Sequence, residues 1–309
     1  MTGTYPGPAP TIAGDLVTVS RFLQNPTQIR RLLRSYTDLR FVSDQLLTQR
    51  YRTTGGGVVF EMSEPFVTDR PVQAVSAGSE YPAASLPTGT AGLAAVSKWG
   101  QKVSITDEEI TRNVYGGEVV SRAMRKVVNS IIKQVDGVTM SALTSAITAT
   151  FDVTSGGGAA WTAASPTILR DILEAKAAVV GQNLGYNPDT LAVNDLAYAI
   201  IMSDERIAAL LRREETSNPV YTGTIEKLAG LTIVVSPSIT NPIVLDSTQL
   251  GGMADEMSGA PGYSVSDLAV EVKSIRNDSA DKWDLQGRRI TVPVVSEPGA
   301  GIELTNTGT

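Results

Sequence analysis

Val120, Met124, Val127, Ile131, Val135, Val138, Ala142 and Ala146 recur at steps of three and four residues, the period of one face of an α-helix. Val119, Ala123, Val128 and Ile132 widen that face. The pattern predicts one helix from Glu118 to about Thr148, about 45 Å long at 1.5 Å per residue. A single amphipathic rod of this length suits the spine of an elongated molecule. A coiled-coil or bundle helix is the alternative. The stripe is broader than a narrow a/d seam, and no comparably long partner helix is predicted elsewhere.

The segment that enters this rod is "KWGQKVSITDEEI", residues 98–110. Val103 and Ile105 alternate with polar neighbours as on a strand. Thr106 and Glu109 then have the spacing of a capping box, in which the hydroxyl takes one free amide of the first turn and the carboxylate another. An extended stretch is therefore predicted to run directly into a capped helix. That helix is predicted to break at Gly116-Gly117 before the rod resumes.

Upstream, residues 1–14 read as an extended tail rich in Pro, Gly and Thr. "NPTQIRRLLRSY" (25–36) predicts a short helix with Asn25 as N-cap, Pro26 in the first helical position and Gln28 closing a capping box. Residues 38–51 fit either helix or strand. "TGGGVVFEM" (54–62) predicts a glycine hinge and then a strand. Residues 63–97 carry scattered Pro and Gly with little periodicity, and 76–92 would form their tip. Compact domains seldom hold so long a structureless segment. Disorder, a functional loop, or a two-stranded arm packed on a neighbouring molecule would each explain it, and an isolated ribbon would need that neighbour for stability.

Downstream, residues 154–165 read as a linker. Ser165 is the predicted cap of a helix that has Pro166 at its start and ends at Gly181. A strand at 189–194, a helix at 195–202 and a further helix at 203–214 capped by Ser203 follow. "LTIVVSP" (231–237) and "PIVLD" (242–246) are buried-type strands, so the middle of the chain is mixed α/β. Residues 268–275, 283–295 and 301–306 alternate as antiparallel strands. They are expected to pack beside the 107–148 helix and close a second, discontinuous domain.

Composition narrows the chemistry. The 309 residues include no Cys and no His. That excludes disulfides, thiolate nucleophiles, imidazole bases, Ser-His-Asp triads and ordinary zinc sites. The N-terminus has neither a basic start nor an apolar core, so no secretory signal is expected, and no run is apolar enough to span a bilayer. Net charge is −6, unevenly spread: residues 15–52 carry +4 and the remainder −10. The basic segment is either an arm that meets acidic partners or a solvated helix face.

The densest carboxylate cluster, Asp107-Glu108-Glu109, is explained by its place at a helix N-terminus, and adjacent acids on a helix point apart. Gly55–57 and Gly156–158 lack the Lys-Ser or Lys-Thr of a phosphate loop. "NDSADKWD" (277–284) fails as a calcium loop, because Lys282 and Arg288 stand where Gly and Glu are needed. No nucleic-acid readout motif is present; the N-terminal arginines could touch phosphates only without sequence preference.

The order of parts resembles the major capsid proteins of tailed bacteriophages, with the α+β Hong Kong 97-type capsid fold. "VSAGSEYPAA" (75–84) is similar to the turn ending that family's extended loop, and "KWGQKVSITDEEI" to the return strand entering its spine helix. "EKLAGLTIVVSPSI" (226–239) resembles a strand near the end of its axial domain. "LQGRRITVPVVSEPGAGIELT" (285–305) resembles its closing strand and terminus. The resemblance implies an N-terminal arm (1–52), an extended β-loop (53–105), the spine helix of a peripheral domain (106–153), an axial domain (154–262) and closing strands of the peripheral domain (263–309).

It also implies a function: a shell protein whose hexamers and pentamers tile an icosahedral capsid around double-stranded DNA, found in the virion and assembled in the host cytoplasm. An encapsulin-type compartment shell is the alternative, and a carboxylate-dependent hydrolase a remote one. Expected contacts between subunits are Arg70, Glu80, Tyr81, Lys98 and Trp99, with Arg21, Arg30, Arg31 and Arg34 on the arm. Expected partners are further copies of the chain, a separate scaffolding protein, a portal and decoration proteins. No membrane, metal or cofactor is expected. With no Lys between 53 and 97, no covalent crosslink from the loop is expected either.

Overall fold

The computed structural model describes residues 41–63, 67–112, 116–204, 206–207, 225–257, 259–265 and 269–309. Numbered along the chain, its elements begin with helix α1 (Ser43–Leu46) and strands β1 (Gln49–Thr53), β2 (Gly57–Met62), β3 (Thr90–Ala95) and β4 (Ser97–Thr106). Helices α2 (Asp107–Arg112) and α3 (Gly116–Ala146), strand β5 (Thr150–Asp152), helix α4 (Ile168–Val180), strand β6 (Thr190–Val193) and helix α5 (Asp195–Ser203) follow. Eight further strands complete the chain: β7 (Lys227–Leu228), β8 (Leu231–Val235), β9 (Ile243–Leu245), β10 (Gly251–Glu256), β11 (Ser264–Val265), β12 (Glu271–Asn277), β13 (Lys282–Val295) and β14 (Gly301–Thr305). Among the described residues, one unit holds 98–134 and 257–290, and the other 41–97, 135–256 and 291–309.

In the first unit, β13 pairs antiparallel with β12, which pairs with β11, and β4 also pairs with β13. The apolar stripe of α3 lies on this sheet. Val120, Met124 and Val127 are fully buried. The approach is close enough at Gly287 that a Cβ there would sit 2.9 Å from Val127 Cγ1 and 3.2 Å from Ile131 Cδ1. Glycine is required because the helix fills the space a side chain would use.

The second unit contains a sheet ordered β5-β14-β9-β6-β8-β7, with β6 and β8 parallel and β9 antiparallel to both β6 and β14. β7 and β8 form a hairpin whose two loop residues, Ala229 and Gly230, both have positive φ (54° and 80°), as a type I′ turn demands. α4 buries Ile168, Ile172, Ala175 and Val179, and the side chain of Asn194 caps α5 by accepting from the Ala197 amide at 2.6 Å. β1 runs parallel to β10, which pairs with the final residues of β13.

Several expectations change. The expected break is present but is placed slightly earlier: α2 ends at Arg112, and Gly116 and Gly117 open α3, where the amides have no intrahelical partner and glycine weakens least. Beyond Val135 the buried line passes to Thr139, Met140, Leu143 and Ile147, leaving Val138, Ala142 and Ala146 half-buried. From Val135 onward the helix packs within the second unit, whose own strands set the buried face.

Residues 154–165 are no simple linker: Trp161 is 1% exposed, and its indole N–H donates to Asp171 at 3.1 Å. Helix α4 starts after Thr167, not Ser165. The next helical turn is capped by Asp204, not Ser203, through the amides of Arg206 and Ile207. Residues 38–51 prove, from Phe41 on, to hold both candidates, α1 and then β1. The strand expected at 301–306 to close the peripheral domain is β14, and it pairs with β5 and β9 in the second unit's sheet. Alternation identifies a strand but not its partner. The predicted helix at 25–36 and most of 203–214 lie outside the described residues.

Candidate interaction surface

The segment without periodicity forms a ribbon. β2 and β3 pair antiparallel from Gly57↔Ala95 to Met62↔Thr90 and make a two-stranded sheet of their own. Strand alternation sends Val59 and Leu93, directly opposite each other, to one face, where they are 76% and 74% exposed. On the other face the Phe60 ring covers Gly92, where a Cβ would come within 2.8 Å of the ring.

Among the described residues beyond Met62 and before Thr90 there is no regular strand, but the segment is tied across. The Ser85 amide donates to Asp69 Oδ1 at 2.8 Å. The hydrogen bonds from Ser85 hold the Asp69 carboxyl below its ordinary pKa. At the far end the Ser79 amide bonds the Ser76 carbonyl, with Gly78 at φ 86° in the position a type II turn reserves for glycine.

This ribbon concentrates apolar exposure. Val59, Val67, Val72, Tyr81, Leu86 and Leu93 are each at least 72% exposed, whereas the other large apolar residues exposed on the described chain reach 55% at most. Covering such a side chain stabilises by about 1.5–3 kcal/mol. A lone two-stranded ribbon is marginal in water, so an external surface is the natural source of its stability.

Among the residues predicted from sequence, Arg70, Glu80 and Tyr81 are exposed on this ribbon, with Glu80 and Tyr81 just past the Gly78 turn. Lys98 and Trp99 lie on β4 instead, Lys98 exposed and Trp99 half-buried. Arg21, Arg30, Arg31 and Arg34 lie outside the described residues. Sequence reasoning favoured charged and aromatic side chains and missed the aliphatic ones. A Val, Leu and Val set in a stretch with no amphipathic period was the available signal.

The return leg ends in a latch. The capping box is present: Glu109 N–H donates to Thr106 Oγ1 at 3.3 Å, and Thr106 N–H to Glu109 Oε2 at 3.2 Å. Asp107 receives both terminal nitrogens of Arg276 at 2.6 and 2.7 Å, and its amide donates to the Asp281 carbonyl at 3.0 Å. Arg276 also bonds Asp278 at 3.0 Å and lies 5.5 Å from the Trp283 ring centre. Lys102 and Ser104 on β4 both donate to Asp284 on β13. Asp107 and Glu109 are therefore used in ion pairing and capping. Among the described residues no group of acids is arranged to hold a metal ion.

The hydrogen bonds from Arg276 depress the Asp107 pKa. A carboxylate whose folded pKa is lowered contributes stability above its unfolded pKa and loses it as pH falls through the folded one. The latch is thus complete at neutral pH and opens only below the ordinary carboxylate range. Thr106→Ala is expected to weaken the start of α2 by about 1 kcal/mol. Amide exchange over 107–112 would show it as roughly five-fold faster exchange, with Thr106→Ser unchanged. Equal rates in all three proteins would mean that Arg276 alone holds the helix.

Comparison with known proteins adds the following. The family model for phage capsid protein matches residues 90–304. No curated protein matches the sequence. Among solved structures, the capsid of the cyanophage P-SCSP1u aligns with a TM-score of 0.61 at 16% identity, covering 84% of this chain and 86% of that one. A phage-related protein from Bordetella bronchiseptica aligns at 0.60 with 13% identity over 92% of this chain and 97% of its own. A virus-like particle from Pyrococcus furiosus aligns at 0.50 with 12% identity over 90% and 98%.

Proposed function

Because the chain belongs to the phage capsid protein family, we propose that its copies assemble as hexamers and pentamers into an icosahedral shell enclosing double-stranded DNA. Its fold is the α+β Hong Kong 97-type capsid fold. The observation that carries the assembly reading is the ribbon: six large apolar side chains stand exposed on a two-stranded arm. In a shell, a neighbouring copy covers them, and Arg70, Glu80 and Tyr81 at the far end of the arm contact that neighbour.

On this reading the Thr106 junction is a scaffold, the place where an arm made for another subunit joins a rigid helix. Lys98 and Trp99 join the contact from β4, and the N-terminal arginines, Arg21, Arg30, Arg31 and Arg34, run beneath adjacent copies. A scaffolding protein, a portal and decoration proteins are the further partners of such a shell. Its place is the virion, after assembly in the host cytoplasm.

A compartment shell is the second reading, supported by the likeness to the virus-like particle. The chain expressed alone is expected to give closed particles, or discrete hexamers and pentamers, in negative-stain microscopy and size-exclusion chromatography. Nucleic acid inside particles from infected cells supports a virion, and a protein cargo a compartment. A strict monomer, even with crowding agents, would overturn both.

A further inference from the structure

Asp136 places a carboxyl on α3 where water does not reach it; the residue is 6% exposed. Its oxygens accept from two backbone amides at the start of α1, Ser43 at 3.0 Å and Val42 at 3.2 Å. Among the described residues no cation pairs with it, and Lys133, one turn earlier on α3, is exposed. The charge that bears on it is of its own sign, Asp44 on α1. Asp44 is paired with Arg50 of β1 at 2.8 Å, and the same guanidinium lies 3.8 Å from Asp255 of β10, the strand against which α1 packs. α1 stands where residues 1–40 lead into the described chain.

A buried carboxylate without a countercharge is costly, and such a group takes up a proton in preference to staying ionised. Burial pushes the Asp136 pKa above its ordinary value; the amide donors counter this only in part, and Asp44 adds to it. The neighbouring Ser43 Oγ, fully buried, has no partner in hydrogen-bonding geometry. A neutral carboxyl has an O–H to place, and this oxygen can accept it while the other carboxyl oxygen still takes an amide.

We propose that Asp136 is a pH-sensitive clasp on α1: protonated, it holds the start of that helix against α3, and ionised it loosens the hold, so that α1 is docked more firmly in mild acid than at neutral pH. The docked state binds the proton more tightly than an undocked state with Asp136 in water. Docking is therefore fully supported below the ordinary carboxylate pKa and weakens as pH rises through the docked-state value. Phe41, Leu46 and Leu47, each at most 2% exposed, anchor α1 at either extreme, so the clasp sets how often α1 opens and not whether it forms. The proposal stands apart from the shell reading.

The test compares the full chain with Asp136→Asn, whose carboxamide has the shape of the neutral acid and cannot ionise, both in the same assembly state. Amide exchange over residues 42–47, corrected for its intrinsic pH dependence, is followed by mass spectrometry from pH 5 to pH 8. Strand β6, buried at every residue, is the reference. In the wild type, protection of 42–47 is expected to fall several-fold from pH 5 to pH 8 while β6 stays level. In Asp136→Asn it is expected to stay level and, at pH 8, to exceed that of the wild type. A wild-type profile that is flat, or that rises with pH, overturns the proposal without recourse to the variant. An equal fall in Asp136→Asn also overturns it and assigns the titration to another group, Asp44 first. A parallel fall in β6 makes the effect one of the whole unit and equally removes the clasp.

Discussion

A chain in which residues 63–89 are replaced by Asn-Gly is expected to fold and to form no particles. The excision joins Met62 to Thr90, which already face each other as the last pair of the β2–β3 ribbon. Asn-Gly is the loop that best closes such a pair, because both positions of a type I′ turn need positive φ. The removed residues, where described, contribute no helix and no strand. Helix content by circular dichroism should therefore be unchanged. What disappears is Val67, Val72, Tyr81 and Leu86, the Asp69–Ser85 tie and the turn at Gly78. If a neighbouring copy covers this arm, the excision removes several apolar side chains whose cover stabilises by about 1.5–3 kcal/mol each, repeated at every subunit of the shell. Particle yield should fall from abundant to none by electron microscopy. Particles of normal size and number from the shortened chain would remove the arm from assembly and return attention to the rest of the surface.

Trp161→Ala is expected to lower folding stability by about 4 kcal/mol, the range for emptying a buried aromatic site. Trp161 is 1% exposed, and its backbone amide also donates to the Thr307 carbonyl at 2.9 Å. Its indole donates to Asp171, itself 1% exposed, which takes a second hydrogen bond from Thr167 at 2.9 Å. Burial raises the Asp171 pKa, and these two donors partly counter it.

The sign follows from linkage. A carboxyl whose folded pKa lies above its unfolded value binds its proton more tightly in the folded state. It costs stability increasingly as pH rises from the unfolded pKa through the folded one. Removing the indole donor makes the ionised form still less favourable. Trp161→Phe, which keeps most of the volume, should therefore cost up to about 2 kcal/mol at pH 7, to the extent that Asp171 is ionised there and loses a hydrogen bond to its charge. It should cost less near pH 4. Urea unfolding at the two pH values measures both. A Phe variant with the same deficit at both would mean that the deficit is one of packing, with no part for the carboxylate.

Trp161 also shows where sequence reading stops. "TSGGGAAWTAAS" looks like a linker because glycine and small residues surround the tryptophan, and no periodic partner marks it as core. Its burial depends on Asp171 and on Thr307, a residue far along the chain. Asp136 is similar. On a helix stripe an acid reads as the edge of the polar face, yet it is 6% exposed and caps α1 from 93 residues away.

The alternation of 301–306 identified a strand but not its sheet. That strand lies between β9 and β5, residues distant in sequence, instead of beside the strands that immediately precede it. By contrast, features that depend on a few consecutive residues were legible in the sequence. They include the Thr106–Glu109 capping box, the α3 stripe through Val135, the helix at 195–202 and the β8 and β9 strands. Sequence by itself determined the elements whose signal is local: period, cap and turn. Only the tertiary structure decided which strands pair and which polar groups are buried, because those depend on contacts between segments scores of residues apart that no local period encodes.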